Sequence, residues 1–419
     1  LRSVRKMFAR LCRHMKFATS TALAIILALS ITVWGADEKA FPQILRKQVL
    51  ENGFMPAKEL YINKDEGLVP VGKIVFETKK LSLNGNISCQ TCHLSQFGSA
   101  DGIPNAAAIG GTGEGPQRLL SGAKLLPRNT LAFWGRGAKG FETFFWDGKI
   151  DFSNSKKISQ FGSQPPSDDA LVTAAHLPLV EIREMLDEDE FVLAHKQESV
   201  GKSGEVYRVI ADNLRKFEPQ ASKSLAEYLR KPVEQLTYTD YARSLAAFIR
   251  SEFRIKETKL EKFTTKSEPL SAEELRGGLI FYGRGRCVVC HSGPHFSDFK
   301  FHAVPFPQLG FGKNGFGIDL GRFNVTFDPK DLYRFRTPPL YNVVKTAPYG
   351  HSGSVATVEE AIVAHFDPLR LLNPSSMEPL ARHELYKRMT LGSETATTVG
   401  FLTTDDVDDL KKFLNALSF

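Results

Sequence analysis

Cys89-Gln-Thr-Cys92-His93 and Cys287-Val-Val-Cys290-His291 carry four of the five cysteines in this 419-residue chain. In each stretch two thiols lie one turn apart, and an imidazole follows the second directly. That spacing serves covalent attachment of a c-type haem: the thiols bond the porphyrin vinyls and the adjacent His supplies an iron ligand from the same turn. A lone Cys-x-x-Cys also suits a thioredoxin-like redox pair or half of a zinc site. Two copies, each completed by His, favour two covalently bound haems.

The fifth cysteine, Cys12, falls in a different kind of segment. Arg2, Arg5, Lys6, Arg10, Arg13 and Lys16 precede an uncharged apolar run from Phe17 to Val33, which ends near Gly35-Ala36. A basic start, an apolar middle and small residues at the boundary describe a cleaved export signal over residues 1–36. The alternative, a membrane anchor, needs roughly 20 apolar residues, and this run is shorter. The mature chain is therefore expected in the periplasm, where spare thiols become disulfides, yet here none is spare. Losing the six basic residues of the leader, which holds no Asp or Glu, takes the formal charge from +7 to +1. A nucleic-acid partner is not expected from that balance.

The mature chain divides into halves that read alike. Val71-Gly72-Lys73-Ile74-Val75-Phe76 precedes the first motif, and Gly277-Gly278-Leu279-Ile280-Phe281-Tyr282 precedes the second. Ser271-Ala-Glu-Glu274 is a capping-box pattern that predicts the start of the latter helix. Helical periodicity also runs through Tyr238–Ile255, Val358–His365 and Thr404–Leu417. Phe263–Leu270 reads as the linker. The expected fold is mainly α, with two cytochrome c-like haem domains, long loops and little sheet. Their expected limits are 37–265 and 266–419, after the leader. Gly310-Phe-Gly312-Lys-Asn-Gly315 spells a dinucleotide fingerprint but follows no convincing strand and opens no helix, so a flexible loop is expected. Asp405-Asp406 and Asp408-Asp409 read as the solvated start of the last helix.

Beyond the haem motifs, the chain resembles the bacterial dihaem cytochrome c peroxidases and the related MauG enzymes. The resemblance rests on Ile87–His93, Pro127-Arg-Asn-Thr130, Phe145-Trp-Asp-Gly148, Arg336-Thr-Pro-Pro-Leu-Tyr-Asn342 and Ala347-Pro-Tyr-Gly-His-Ser-Gly353, in that order. It implies a peroxide-reacting haem in the N-terminal domain, an electron-transfer haem in the C-terminal domain, and a calcium ion and a tryptophan between them. Trp146 matches that tryptophan. The Asn129 side chain and the carbonyls of Thr346 and Pro348 match the calcium ligands. Glu184 keeps the family's spacing from a proline, Pro178, for the distal acid–base residue, with Glu181 in reserve. A distal Gln often precedes that proline; here the position is Ala174, and His176 lies close by.

Direct reading of the residues bears on the same assignment. Between Leu94 and Ala175 there is no His, Met, Cys or Tyr. No local side chain is therefore offered as a second ligand to the iron at His93, and an open site is expected. Counting from Thr346 places His365 where the family has the sixth ligand of the second haem, Met in the peroxidases and Tyr in MauG. A bis-His haem has a lower potential than a His/Met one. His302 and His351 read as packing or hydrogen-bonding residues. The resemblance implies reduction of hydrogen peroxide with electrons from a small donor, a cytochrome c or a cupredoxin, and a possible homodimer. The alternatives are oxidation of a partner protein, as by MauG, and a non-enzymatic dihaem carrier.

Overall fold

A computed structural model describes residues 38–162, 164–187, 203–392 and 402–419, so the leader read at 1–36 lies outside the described residues. Among those described, no helix is long and apolar enough to cross a membrane. The fold is mostly helical. The helices that matter below are α1 (Phe41–Glu51), α2 (Val69–Glu77), α3 (Cys89–Cys92), α4 (Ala170–Ala174), α5 (Ser203–Phe217) and α6 (Pro219–Leu229). They continue as α7 (Tyr238–Glu252), α8 (Lys259–Lys266), α9 (Ala272–Tyr282), α10 (Val358–Ala364) and α11 (Thr404–Asn415).

Two hydrophobic cores organise these helices, one around each cysteine motif. In the first, Val71 and Val75 of α2 pack on Leu245 and Phe248 of α7, with Ile210 of α5 and Leu225 of α6 behind them. In the second, Leu279 and Phe281 of α9 pack on Leu410 and Phe413 of α11. The two crossings share one device. A Cβ at Gly72 would lie 1.9 Å from the Ser244 carbonyl oxygen and 2.7 Å from Phe248 Cβ. A Cβ at Gly277 would lie 2.0 Å from the Asp409 oxygen and 2.9 Å from Phe413 Cβ. In both halves a glycine lets the helix before the cysteine motif touch the backbone of the later helix, and a phenylalanine one turn on seals the contact.

Capping chemistry fixes where these helices start. Glu274 N donates to Ser271 Oγ at 3.2 Å, and Ser271 N donates to Glu274 Oε2 at 2.6 Å, which completes the predicted box. Thr357–Glu360 does the same for α10. Among the described residues, sheet is limited to three antiparallel ribbons: β1 (Thr143–Phe144) with β2 (Ile150–Asp151), β3 (Phe301–His302) with β6 (Phe335–Arg336), and β4 (Phe311–Gly312) with β5 (Gly315–Phe316).

Helix α8 spans 265/266, and its Leu260 and Phe263 belong to the second core together with Leu45 and Val49 of α1. Three expectations change. The linker starts only at Ser267, a left-handed C-cap with φ of 59°, because Phe263 anchors one more helical turn. The Gly310–Gly315 stretch is a tight hairpin whose turn is Lys313-Asn314, and no helix follows it there. Finally, Asp406 and Asp409 are buried rather than solvated. Asp409 takes Arg276 at 2.7 Å and Asp406 takes Arg284, since the crossing with α9 brings those cations over them.

Candidate functional site

Each cysteine motif opens onto a cavity, one of about 210 Å³ at Cys89, Cys92 and His93, and one of about 260 Å³ at Cys287, Cys290 and His291. A single water needs only about 10–15 Å³, so both are shaped for a large group. The Ser88–Thr91 capping box forms α3, which turns both thiols and His93 out of one turn. Burial pushes the Cys89 and Cys287 thiols up to about 12, and the charge of Glu184 adds to the effect at Cys89. Thiols held that high are poor redox nucleophiles, which argues against a thioredoxin-like pair.

Three imidazoles are set in the same way. His93 Nδ1 lies 2.8 Å from the Ser99 carbonyl, His291 Nδ1 2.9 Å from that of Phe296, and His365 Nδ1 2.6 Å from that of Ala361. A carbonyl only accepts, so each Nδ1 carries the proton and each Nε2 keeps its lone pair for a metal. Burial lowers His93 to about 3 and His291 to about 4, and lowers His365 as well, so all three are neutral at physiological pH.

The cavities differ in what stands opposite the motif histidine. In the second, His365 at the end of α10 faces His291, with ring centres 6.4 Å apart. Two imidazoles bound on opposite sides of one metal at roughly 2 Å have centres roughly 6 Å apart. That separation therefore fits a bis-His iron. In the first cavity, His93 is the one histidine of the wall among the described residues, stacked on Phe133 with centres 3.7 Å apart. The same wall holds Glu184, Glu181, Lys149 and Lys313. Met185 is also in that wall.

Burial pushes Glu184 up to about 7, and Glu181 adds to this against the opposing charges of Lys149 and Lys313. Glu181 experiences the reverse. Burial raises it, but Lys149 and Lys313 more than offset that and hold it at about 2. Two neighbouring carboxyls are thereby split, one fixed as a charge and one able to exchange a proton near neutrality. His176 is not in this wall: Nδ1 is 2.8 Å from Val172 O and Nε2 3.1 Å from Thr239 Oγ1, so it braces the fold.

Trp146, in the turn between β1 and β2, lines both cavities, and its indole N–H donates to Asn129 O at 2.9 Å. Asn129, Thr346 and Pro348 meet at the second cavity. Asn129 Nδ2 donates to Pro348 O at 2.6 Å, while its buried Oδ1 has no partner. His302 pairs with Asp298 at 2.9 Å, and His351 stacks on Phe335 and lies 3.1 Å from Gln308 Oε1. Both line the second cavity.

The chain also shows a fit that sequence reasoning missed. Arg136 lines the first cavity and Arg336 the second, both buried, and among the described residues neither has a carboxylate partner. Arg136 donates to the Ala132 and Leu131 carbonyls, Arg336 donates to that of Phe145, and Arg336 Nη1 is unpartnered. Burial pulls Arg136 down to about 9, helped by Arg336, and pulls Arg336 to about 10. Desolvated cations of this kind require an anion. Haem carries two carboxylates beside its iron, so thiols, free Nε2 atoms and guanidiniums together match it at both sites.

Comparison with known proteins agrees. Residues 66–268 match the family model for di-haem cytochrome c peroxidase. The chain is 26% identical over 296 residues to cytochrome c551 peroxidase of Pseudomonas aeruginosa, covering 70% of this chain and 69% of the relative. It is 25% identical over 303 residues to methylamine utilization protein MauG of Methylorubrum extorquens, covering 71% and 68%. The chain contains a di-haem cytochrome c peroxidase domain and is similar to both the peroxidases and MauG. It is thus an oxidoreductase of the cytochrome c peroxidase type, and the family implies two c-type haems. Among solved structures, a MauG-like protein associated with microbial copper homeostasis superposes with a TM-score of 0.60 at 21% identity, covering 87% of this chain and 92% of that one. The diheme peroxidase BthA from Burkholderia thailandensis gives 0.59 at 18% identity, with 87% and 89% covered. The Lys149–Glu181–Lys313 cluster draws on residues far apart in sequence: Lys149 beside the Trp146 motif, Glu181 beside Pro178, and Lys313 within the Gly310–Gly315 stretch.

Proposed function

We propose that the protein reduces hydrogen peroxide to water at the His93 site, in the periplasm, with electrons that enter at the His291/His365 site from a small redox protein. The contrast between the cavities carries this reading: two facing imidazoles in one, and in the other, among the described residues, a single imidazole sharing the wall with a proton-exchanging carboxyl. Bound haem would supply an exchangeable iron position at His93 and an electron-holding iron at His291 and His365.

The remaining roles fall to side chains. Glu184, as carboxylate, accepts the proton of one peroxide oxygen and returns it to the departing oxygen. Two electrons and two protons convert one peroxide to two waters. Trp146, held by its bond to Asn129 and shared by both walls, is the bridge between the sites. Asn129 with the Thr346 and Pro348 carbonyls is assigned to calcium. The orphaned Asn129 Oδ1 supports this: half a turn of the amide sets it beside the Pro348 oxygen, and two such oxygens together call for a hard cation. The leader at 1–36 supports export.

A second reading is that the electrons come from a side chain of a partner protein. His365 favours it, because two imidazoles lower the potential at that site and weaken the pull on a high-potential donor. Steady-state peroxide consumption by the holoprotein, with reduced cytochrome c or a reduced cupredoxin as donor, separates the two. Rapid oxidation of either donor supports the peroxidase. Stoichiometric uptake of peroxide without donor oxidation supports the partner reading.

A further inference from the structure

The wall of the first cavity contains a cation to which the peroxide chemistry above assigns no role. Lys149 follows the β1–β2 turn and its side chain is only 6% exposed. Its Nζ donates to Glu181 Oε2 at 2.9 Å and stands 4.6 Å from the Phe145 ring centre. Burial alone would lower this ammonium, but Glu181, Asp147 and Glu184 outweigh it, so Lys149 stays charged. One N–H is spent on Glu181, which leaves N–H groups for whatever occupies the cavity.

Two other polar side chains of the wall are committed elsewhere. Asn129 Nδ2 is given to Pro348, and Arg128 is divided between Asp147 at 2.6 Å and Asp319 at 2.7 and 2.9 Å. Ala174 presents only a methyl. The groups that bear on Glu184 come from several elements: Lys149 from the β1–β2 turn, Lys313 from the β4–β5 hairpin, Glu181 from its own segment, and the Cys89 thiol of α3. Lys313 lies 3.5 Å from Glu181 Oε1 and 3.9 Å from Asp147 Oδ2, further from its acids than Lys149 is from Glu181.

We propose that Lys149 is the distal cation of the His93 site: it donates an N–H to an oxygen or anion bound in the cavity and keeps Glu181 occupied, so that Glu184 is the carboxyl that moves the proton. Lys149 gives up no proton in the cycle. What Glu184 takes from one peroxide oxygen it returns to the other, and the second proton and both electrons arrive from outside the wall. The inference rests on the reading of Glu184 as the acid–base group.

The test uses the holoprotein with both haems attached, in wild type, K149M and K149R. Because K149M leaves Glu181 without its 2.9 Å partner, K149M/E181Q removes the ion pair as a unit. Cyanide affinity of the ferric His93 haem is titrated at pH 7, and the protonated-carboxyl infrared band assigned by E184Q is followed against pH. Removing a cation within a few ångströms of an anion is worth about one to three pKa units or powers of ten. Cyanide affinity should fall at least ~10-fold in K149M and in the double variant, and recover to within about threefold in K149R. In K149M the Glu184 midpoint should rise by about one unit or more. Unchanged affinity and midpoint in both folded variants would overturn the proposal. Peroxide turnover by E184Q separates the two claims: full activity there removes the Glu184 reading itself, whereas loss of activity with an unaltered K149M removes only Lys149.

Discussion

The two halves of the molecule share a scaffold and differ in one wall. Gly72 under Phe248 and Gly277 under Phe413 set the same helix crossing, and each crossing leads to a Cys-x-x-Cys-His turn whose imidazole is aimed by a carbonyl. Opposite His291 stands His365; the His93 cavity instead holds a cluster of carboxylates and lysines in its wall. On the proposed reading the motif would hold the cofactor, and the side chains brought in from other elements would decide whether the iron there is closed to ligands or open to them.

The sharpest way to break that comparison is E184Q. It keeps the shape of the first wall and removes its proton carrier, so peroxide turnover should fall by about 10²–10⁴-fold. The spectrum of the second haem should not change. H365M acts on the opposite wall. Methionine raises the potential of a c-type haem relative to histidine, so potentiometry should show the second haem shifted upward by a sizeable part of the about 0.8 V that axial ligands span. The first haem's ligand-binding spectra should stay as they were.

The shared scaffold is tested by G72A and G277A. Each forces a Cβ into a carbonyl about 2 Å away, so each should cost at least about 1–3 kcal/mol in denaturant unfolding, and the two should be alike. The smallest effect is that of pH. Glu184 must be ionised to take a proton, so turnover should rise as pH passes through its value of about 7. Its stability linkage has the opposite sign. A carboxyl raised by burial favours the fold while protonated, below the ordinary glutamate range, and that contribution is lost as pH rises through about 7. E184Q should flatten both profiles, as measured by steady-state rates and thermal unfolding.

Much of this comparison was legible in the chain. Cys89–His93 and Cys287–His291 are local signals, and the boxes at Ser271 and Thr357 write the starts of α9 and α10 into four residues each. His365 could be placed by counting because the loop before it carries recognisable motifs. What could not be read depends on distant partners. Asp406 and Asp409 look solvated until Arg284 and Arg276 cross over them. Helix α1 gives no sign in sequence that Leu45 and Val49 belong to the second core. Lys149, Glu181 and Lys313 become a cluster only when a turn, a loop and a hairpin from both halves converge. Arg136 lies in no quoted motif and Arg336 opens one, yet neither shows its role in sequence; that role lies in having no acid beside it among the described residues.

Electron paramagnetic resonance of the oxidised holoprotein, before any reductant is added, bears most directly on the contrast between the two walls. One high-spin ferric signal and one low-spin signal of bis-imidazole type are predicted, with the high-spin signal alone altered by cyanide. Two low-spin signals would contradict the account. They would mean that a side chain of the first wall, such as Met185, caps the iron at His93.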